Sequence, residues 1–417
     1  MLPLTAAKVL VVEGVEDDPL MRARMERLLS GITAGEVRTV GYGELNAEVD
    51  LARQKRPRHG RLTDIEPVVV LNRGRFDDDE AEQQRRIEAY PALGRELLNG
   101  YDMFHWRRSG CEEYRRDTGL VCQPAWQLHS IMGCHFRCAY CNLGWLVNVM
   151  MNMEEFVSRL DGWMEQCPEQ TLFQYDNGTD TVCFEPEYGG AKLLIDYFAH
   201  RPNQALELYV GKSEHVDFLL DYDHRGHTVC CWSLSGPTQS VAFEPGSSPM
   251  DRRIESMRKC ADAGYPLRVR FSPIIPVTDW RKENRRMIED LFAAVSPDVI
   301  TIETIRYVDY EGVCRLFDMS LLDEEYVRRM QAAQDEPDEW GSELPDDFRT
   351  MVYDFVISEI ERVSPETPYA FCREKRTVWE HFGDELARHG QGPDDYLCNC
   401  GPFSAPATAG AGADRRA

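Results

Sequence analysis

Short apolar runs alternate with amphipathic stretches along most of this chain. From Trp126 the alternation is regular, with apolar runs at Trp126–Ile131, Thr171–Asp176, Ala205–Val210, Thr228–Ser233, Leu267–Phe271 and Val299–Ile305. Helical periodicity fills the gaps, as at Met153–Gln166, Ala191–His200, Asp251–Ala263 and Arg285–Val295. Runs of this length between turn residues predict strands, and the longer periodic stretches predict helices. Strand–helix alternation implies an α/β fold with a parallel sheet and right-handed crossovers. Six such units suit a partial (β/α)6 barrel, with function gathered at the C-terminal strand ends.

That unit is assigned to residues 101–317. Before it, residues 1–100 read as a small accessory α/β region. Its elements are a strand at Lys8–Val12, a helix at Pro19–Leu29, a strand at Pro67–Leu71 and a helix opened by the acidic run Asp77–Glu80, where negative charge meets the positive helix end. After it, residues 318–403 read as a helical extension with helices at Leu321–Ala333 and Phe348–Val363. Residues 404–417, small and polar, read as a disordered tail.

The chemistry concentrates between the first strand and the first long helix. Cys134, Cys138 and Cys141 stand at C-x3-C-x2-C spacing, with Tyr140 just before the third. Three thiolates so spaced suit a [4Fe-4S] cluster with one iron left open. The alternative is a zinc knuckle with His129 or His135 as fourth ligand. Farther on, Cys372, Cys398 and Cys400 raise the question of an auxiliary cluster completed by Cys111, Cys122 or Cys314. The aromatic and sulfur residues from Trp106 to Trp126 read as core.

Composition narrows the class. The 417 residues include 14 cysteines and carry a formal net charge of -24, and mean hydropathy is -0.46. No apolar run is long enough for a membrane span, no secretory leader is evident, and cysteines at cluster spacing fit a reducing cytoplasm. Surplus acid is a poor match for phosphates and attracts small cations instead.

The cluster loop resembles that of the radical S-adenosylmethionine (SAM) enzymes, and later segments resemble their spore photoproduct lyase-like branch. These are Gln174–Asp180, Tyr209–Ser213, Cys231–Ser235, Phe243-Glu244-Pro245, Asp251–Ile254, Ala263–Pro266, Phe271–Ile275, Glu303–Arg306 and Phe371–Glu374 with Trp379, in the branch's order. The resemblance implies a [4Fe-4S] cluster on Cys134, Cys138 and Cys141, and SAM as the source of a 5'-deoxyadenosyl radical. It implies SAM contacts from Tyr140, Asn177, Gly178, Thr179, Asp180, Lys212 and Ser233. One departure stands out: Asn177 occupies the position of the lyase's hydrogen-donor cysteine, and the nearest cysteine is Cys183.

Charge and this departure together favour a biosynthetic radical SAM enzyme, a dehydratase or other lyase or an oxidoreductase, acting on a small polar, cationic metabolite. A paromamine-like aminoglycoside sugar, dehydrated or deoxygenated in antibiotic biosynthesis, fits that description. Such chemistry needs acid, base and ammonium-holding carboxylates, for which Asp176, Glu185, Glu187 and Glu303 are candidates, with Tyr307 and His135 behind them. The expected partners are this substrate and an external electron donor, a flavodoxin or reductase, with nucleic acid not favoured and no membrane. The alternative is a DNA spore photoproduct lyase that repairs thymine dimers. A redox or scaffold protein without SAM chemistry is the third reading.

Overall fold

The computed structural model describes residues 1–55, 66–77, 79–98, 100, 103–141, 143–306, 308–334 and 344–406. Tyr307 and the tail from residue 407 lie outside the described residues.

An eight-stranded sheet organises the chain. Its order is Tyr369–Phe371, Ile300–Thr304, Leu267–Ile274, Thr228–Ser233, Ala205–Gly211, Leu172–Tyr175, Ala125–Leu128, Phe104–Arg107. Neighbours are parallel except at Phe104–Arg107, which runs antiparallel to Ala125–Leu128. The six expected strands are present in the expected order. Two edge strands were not foreseen. Tyr369–Phe371, inside the supposed helical extension, joins the sheet because all three residues are buried and Tyr369, Ala370 and Phe371 pair with Ile300, Thr301 and Ile302. The helix expected from Arg285 starts five positions earlier, at Trp280. Trp280 is buried against Phe355 of the Asp346–Val363 helix, its ring 5.2 Å away.

A second sheet has the order Val37–Val40, Lys8–Val12, Val68–Asn72, Leu146–Met150, Ile131–Met132. Its last two strands come from beyond residue 100, so the N-terminal region shares its sheet with the next unit. Val68–Asn72 is wholly buried and needs a partner on each side. The equally buried Leu146–Met150 supplies one, in parallel register from Val68↔Leu146. Consequently the first expected strand splits between sheets. The Asp176 carboxylate takes the backbone N–H groups of Ser130 (2.8 Å) and Ile131 (3.0 Å) and diverts the chain from one sheet to the other. The cluster loop is the connection from Ile131–Met132 to its antiparallel neighbour Leu146–Met150.

The end of the described chain folds back under the main sheet. Pro402 O accepts the N–H of Thr171 (2.8 Å) and of Leu172 (3.0 Å), at the start of a strand. Buried Arg268 donates to the carbonyls of Cys398 (3.3 Å), Asn399 (2.7 Å) and Ser404, and to Ser404 Oγ (2.9 Å). Ser404 and Ala405, expected in the tail, are thus buried. Arg268→Met should cost about 3 kcal/mol, since it strands several buried carbonyls. Thermal unfolding would read the loss, and faster amide exchange over residues 397–406 would locate it.

Candidate active site

Gly133 opens the cluster loop with φ 98°. A Cβ there would lie 1.9 Å from the Leu146 carbonyl oxygen, so no other residue fits the turn. Three backbone bonds then fix the loop: Gly133 N–H to Gly178 O (3.1 Å), Arg137 N–H to Pro245 O (3.3 Å) and Ala139 N–H to Phe243 O (2.8 Å). Cys134, Cys138, Tyr140 and Cys141 thereby face one cavity of about 580 Å³.

None of the 14 cysteines is in a disulfide. Burial pushes the Cys138 thiol up to about 12 and the Cys134 thiol up as well. Thiolates at this site therefore call for a compensating cationic core. Among the described residues no three His, Cys, Asp or Glu side chains gather tightly enough for a single metal ion. A four-iron cluster differs, because each thiolate reaches its own iron. Neither histidine of the zinc alternative lines the cavity. His129 Nδ1 is 2.7 Å from Asp176 Oδ1. His135 packs edge-on against Phe136 and Phe184, and burial lowers its pKa to about 4.

Asn177, Thr179 and Asp180 line the same cavity. Gly178 sits behind them, its carbonyl taken by Gly133 and its N–H 3.2 Å from Asp176 Oδ1. Asp180 Oδ2 accepts the Lys212 N–H at 2.7 Å. That approach requires Gly211, where a Cβ would meet Asp180 Oδ2 at 2.3 Å. Burial pushes Asp180 up to about 7 against the pull of this bond. Lys212 lines the cavity with its Nζ 6.0 Å from the Tyr140 ring centroid. Burial alone would lower its pKa, but the negative charge of Glu244 leaves it raised.

Glu244 and Arg253, quoted above only as parts of motifs, prove central. Both are fully buried and paired at 2.6 Å. Glu244 also accepts from Tyr140 Oη (2.7 Å), Ser235 Oγ (2.9 Å) and Gln239 Nε2 (3.0 Å). The pair holds Tyr140, and with it the cluster loop, against the sheet.

Of the four candidate carboxylates, only Glu303 lines the cavity, accepting from Ser272 Oγ at 2.7 Å. The other three lie elsewhere, for a common reason: each satisfies local backbone or terminal donors. Asp176 holds the turn between the sheets. Glu185 caps a helix through Gly189 N–H (2.8 Å) and Ala191 N–H (2.7 Å), and burial pushes it up to about 7. Glu187 pairs with the amino group of Met1. Ser233 is set back from the cavity, 2.8 Å from the hydroxyl of Tyr209, which does line it. Cys183 is buried away from the cavity and donates to Asp180 Oδ1 at 3.1 Å.

The rest of the wall includes Arg107, Arg270, Arg373, Cys122, Cys372 and Cys400. Four cationic side chains, with Lys212, thus face two acidic ones, Asp180 and Glu303. The net charge of -24 belongs to the rest of the molecule. Among the described residues, no helix is long and apolar enough to cross a membrane.

Residues 125–311 match the family model "Spore photoproduct lyase". The chain is 35% identical over 185 residues to the spore photoproduct lyase of Bacillus subtilis, covering 42% of this chain and 54% of the relative. It is 29% identical over 185 residues to that of a Geobacillus species, with the same coverage. The chain therefore spans about half the length of the curated relatives it matches. Solved structures extend the likeness in fold. A spore photoproduct lyase mutant with bound AdoMet and dinucleoside spore photoproduct aligns with a TM-score of 0.61 at 18% identity, over 89% of this chain and 100% of that one. Spore photoproduct lyase complexed with dinucleoside spore photoproduct aligns with a TM-score of 0.61 at 17% identity, with the same coverage.

These likenesses overturn the expectation of a small cationic substrate with nucleic acid not favoured, because the similar structures hold a dinucleoside spore photoproduct. The aminoglycoside assignment finds no support among them. The net charge misled because it averages over a surface that the cavity does not share. In sequence over residues 125–311, and in fold over most of its length, this chain is similar to the spore photoproduct lyases.

Proposed function

We propose that this protein is a radical SAM lyase acting on a thymine photoproduct in DNA, with its catalytic unit a partial barrel over about residues 101–317. The observation that carries this reading is one cavity lined by the three loop cysteines, Lys212 and an excess of cationic side chains. Cys134, Cys138 and Cys141 hold the [4Fe-4S] cluster, and Lys212 pairs with the carboxylate of SAM. Carbonyls and side chains of Asn177–Asp180 take its ammonium group. When bound, cluster and SAM supply a 5'-deoxyadenosyl radical.

The protein's own part is positioning. Arg270 and Arg373 offer planar donors suited to a phosphodiester, while Arg107 is held on Gln123 and Cys400. Ser272 holds Glu303 within the cavity, where the carboxylate can accept a hydrogen bond from a base. Asn177 stands in the cavity wall, so its departure from the lyase pattern bears on how a product radical is quenched as well as on how SAM is held.

Two measurements test the reading. Under anaerobic, reducing conditions with SAM, the protein should convert a dinucleotide spore photoproduct to the repaired dinucleotide, as read by chromatography. No conversion by a cluster-loaded protein would count against it. Lys212→Met should weaken SAM binding about 10- to 100-fold, as expected for the loss of one charge-assisted bond, with little change in cluster iron. An unchanged SAM affinity would remove Lys212 from the site.

A further inference from the structure

We propose that Cys122, Cys372, Cys398 and Cys400 form a second iron–sulfur site, one that takes a four-iron cluster beside the first. The four thiols come from three separate parts of the chain: Cys122, Cys398 and Cys400 lie around Arg107, and Cys372 lies against Arg270 on the same cavity wall. Arg107 Nη1 is 3.0 Å from Cys400 Sγ, and its Nη2 donates to Cys400 O at 3.1 Å. Cys122 and Cys398 lie close enough to feel the charge of the same guanidinium. Arg270 Nη2 approaches Cys372 Sγ at 3.7 Å, and Ser109 Oγ approaches Cys122 Sγ at 3.6 Å. Cys122, Cys372 and Cys400 line the cavity that also holds the first three cysteines, and Cys398 is buried two positions before Cys400.

The fold goes to some length to bring these groups together. Cys372 directly follows the last parallel strand. Cys398 and Cys400 sit in the segment that Arg268 and Pro402 fasten beneath the main sheet, and Asn399 between them is tied to Thr301. This segment lies outside residues 125–311, so the match to the lyase family does not account for it.

The chemistry favours a cluster over a lone redox dithiol. A Cys398–Cys400 pair would explain two of the thiols and leave Cys122 and Cys372 without a purpose. Thiolates gathered on one cavity wall repel one another, and an iron core relieves that repulsion. Arginine and serine donors aimed at sulfur stabilise the negative charge of a thiolate-bound cluster. Four cysteines match the ligand count of a saturated cluster. With no open iron, it would not bind SAM as the first site does. Of the three partners the sequence left open, Cys122 is the one in place. Cys314 is exposed, and Cys111 lies outside the cavity wall.

The test is iron and sulfide analysis of anaerobically reconstituted protein. The triple variant C134A/C138A/C141A should retain about four irons and four sulfides per chain, against about eight of each in the unaltered protein. The reduced triple variant should also give a cluster electron paramagnetic resonance signal that SAM does not change. C398A/C400A should conversely fall to about four irons and keep the SAM-sensitive signal. This second variant decides the matter if the first fails to fold. A triple variant without iron overturns the proposal, as does a C398A/C400A protein with undiminished iron. A Cys398–Cys400 disulfide in the iron-free triple variant would likewise overturn it, in favour of a dithiol pair.

Discussion

Cys138→Ala is expected to remove the SAM-sensitive cluster signal and to bring 5'-deoxyadenosine formation down to background. Cys138 is the most enclosed of the three loop cysteines, and the loop around it is pinned at Gly133, Arg137 and Ala139. No neighbouring thiol can move in to replace it without breaking those bonds. Losing one of three ligands removes the site that leaves an iron open for substrate. The fold should survive, because a buried Cys→Ala change deletes a single heavy atom and costs about 1 kcal/mol. Circular dichroism and iron analysis on the same sample separate loss of cluster from loss of fold. Full 5'-deoxyadenosine formation by this variant would mean that the loop is not the cluster site.

Glu244→Ala is expected to give the largest loss of stability, roughly 3–5 kcal/mol, because it leaves the Arg253 guanidinium charged and without its carboxylate inside the protein. The same change frees Tyr140, so cluster loading should fall as well. The double variant Glu244→Leu/Arg253→Met should recover much of the stability but not the hold on Tyr140. Thermal unfolding and iron content distinguish the two effects.

The pair also has a pH signature. Burial would raise the Glu244 carboxyl, but the charges of Arg253 and Lys212 hold it down at about 2. In the unfolded chain it would titrate near the ordinary glutamate value, about 4.3. Its stabilising contribution is thus complete above that value and is lost as the pH falls toward 2. Glu244→Gln should abolish this part of the acid sensitivity.

The sequence carried much of this architecture because each inner strand of the main sheet is a buried run whose neighbours follow it or precede it in order. Thr228–Ser233 and Leu172–Tyr175 needed no information from far away. What escaped was non-local. Leu146–Met150 is legible as apolar, yet its partner is Val68–Asn72, dozens of residues earlier. Tyr369–Phe371 is only three residues long and becomes a strand by pairing with Ile300–Ile302.

The site shows the same division. The cysteine spacing gave the loop directly, whereas a carboxylate at a strand end has many uses. Asp176 and Glu185 satisfy backbone donors that the sequence does not display. Glu303, which shares their position at a strand end, reaches the cavity. Glu244 and Arg253 sat in recognisable motifs, but their pairing across nine positions appears only once the intervening turn is folded. Net charge was the least informative quantity, because Arg107, Arg270, Arg373 and Lys212 are few against the acidic total yet converge on one wall.

On the proposed function, this cavity directs SAM-derived radical chemistry at a DNA photoproduct. A decisive test uses a dinucleotide spore photoproduct deuterated at its ring hydrogens, incubated anaerobically with reconstituted protein, SAM and reductant. Mass spectrometry would follow 5'-deoxyadenosine and SAM. Deuterium in either, together with repaired dinucleotide, is the predicted result. Unlabelled 5'-deoxyadenosine with the photoproduct left intact, or turnover stimulated only by a paromamine-like sugar, would contradict it.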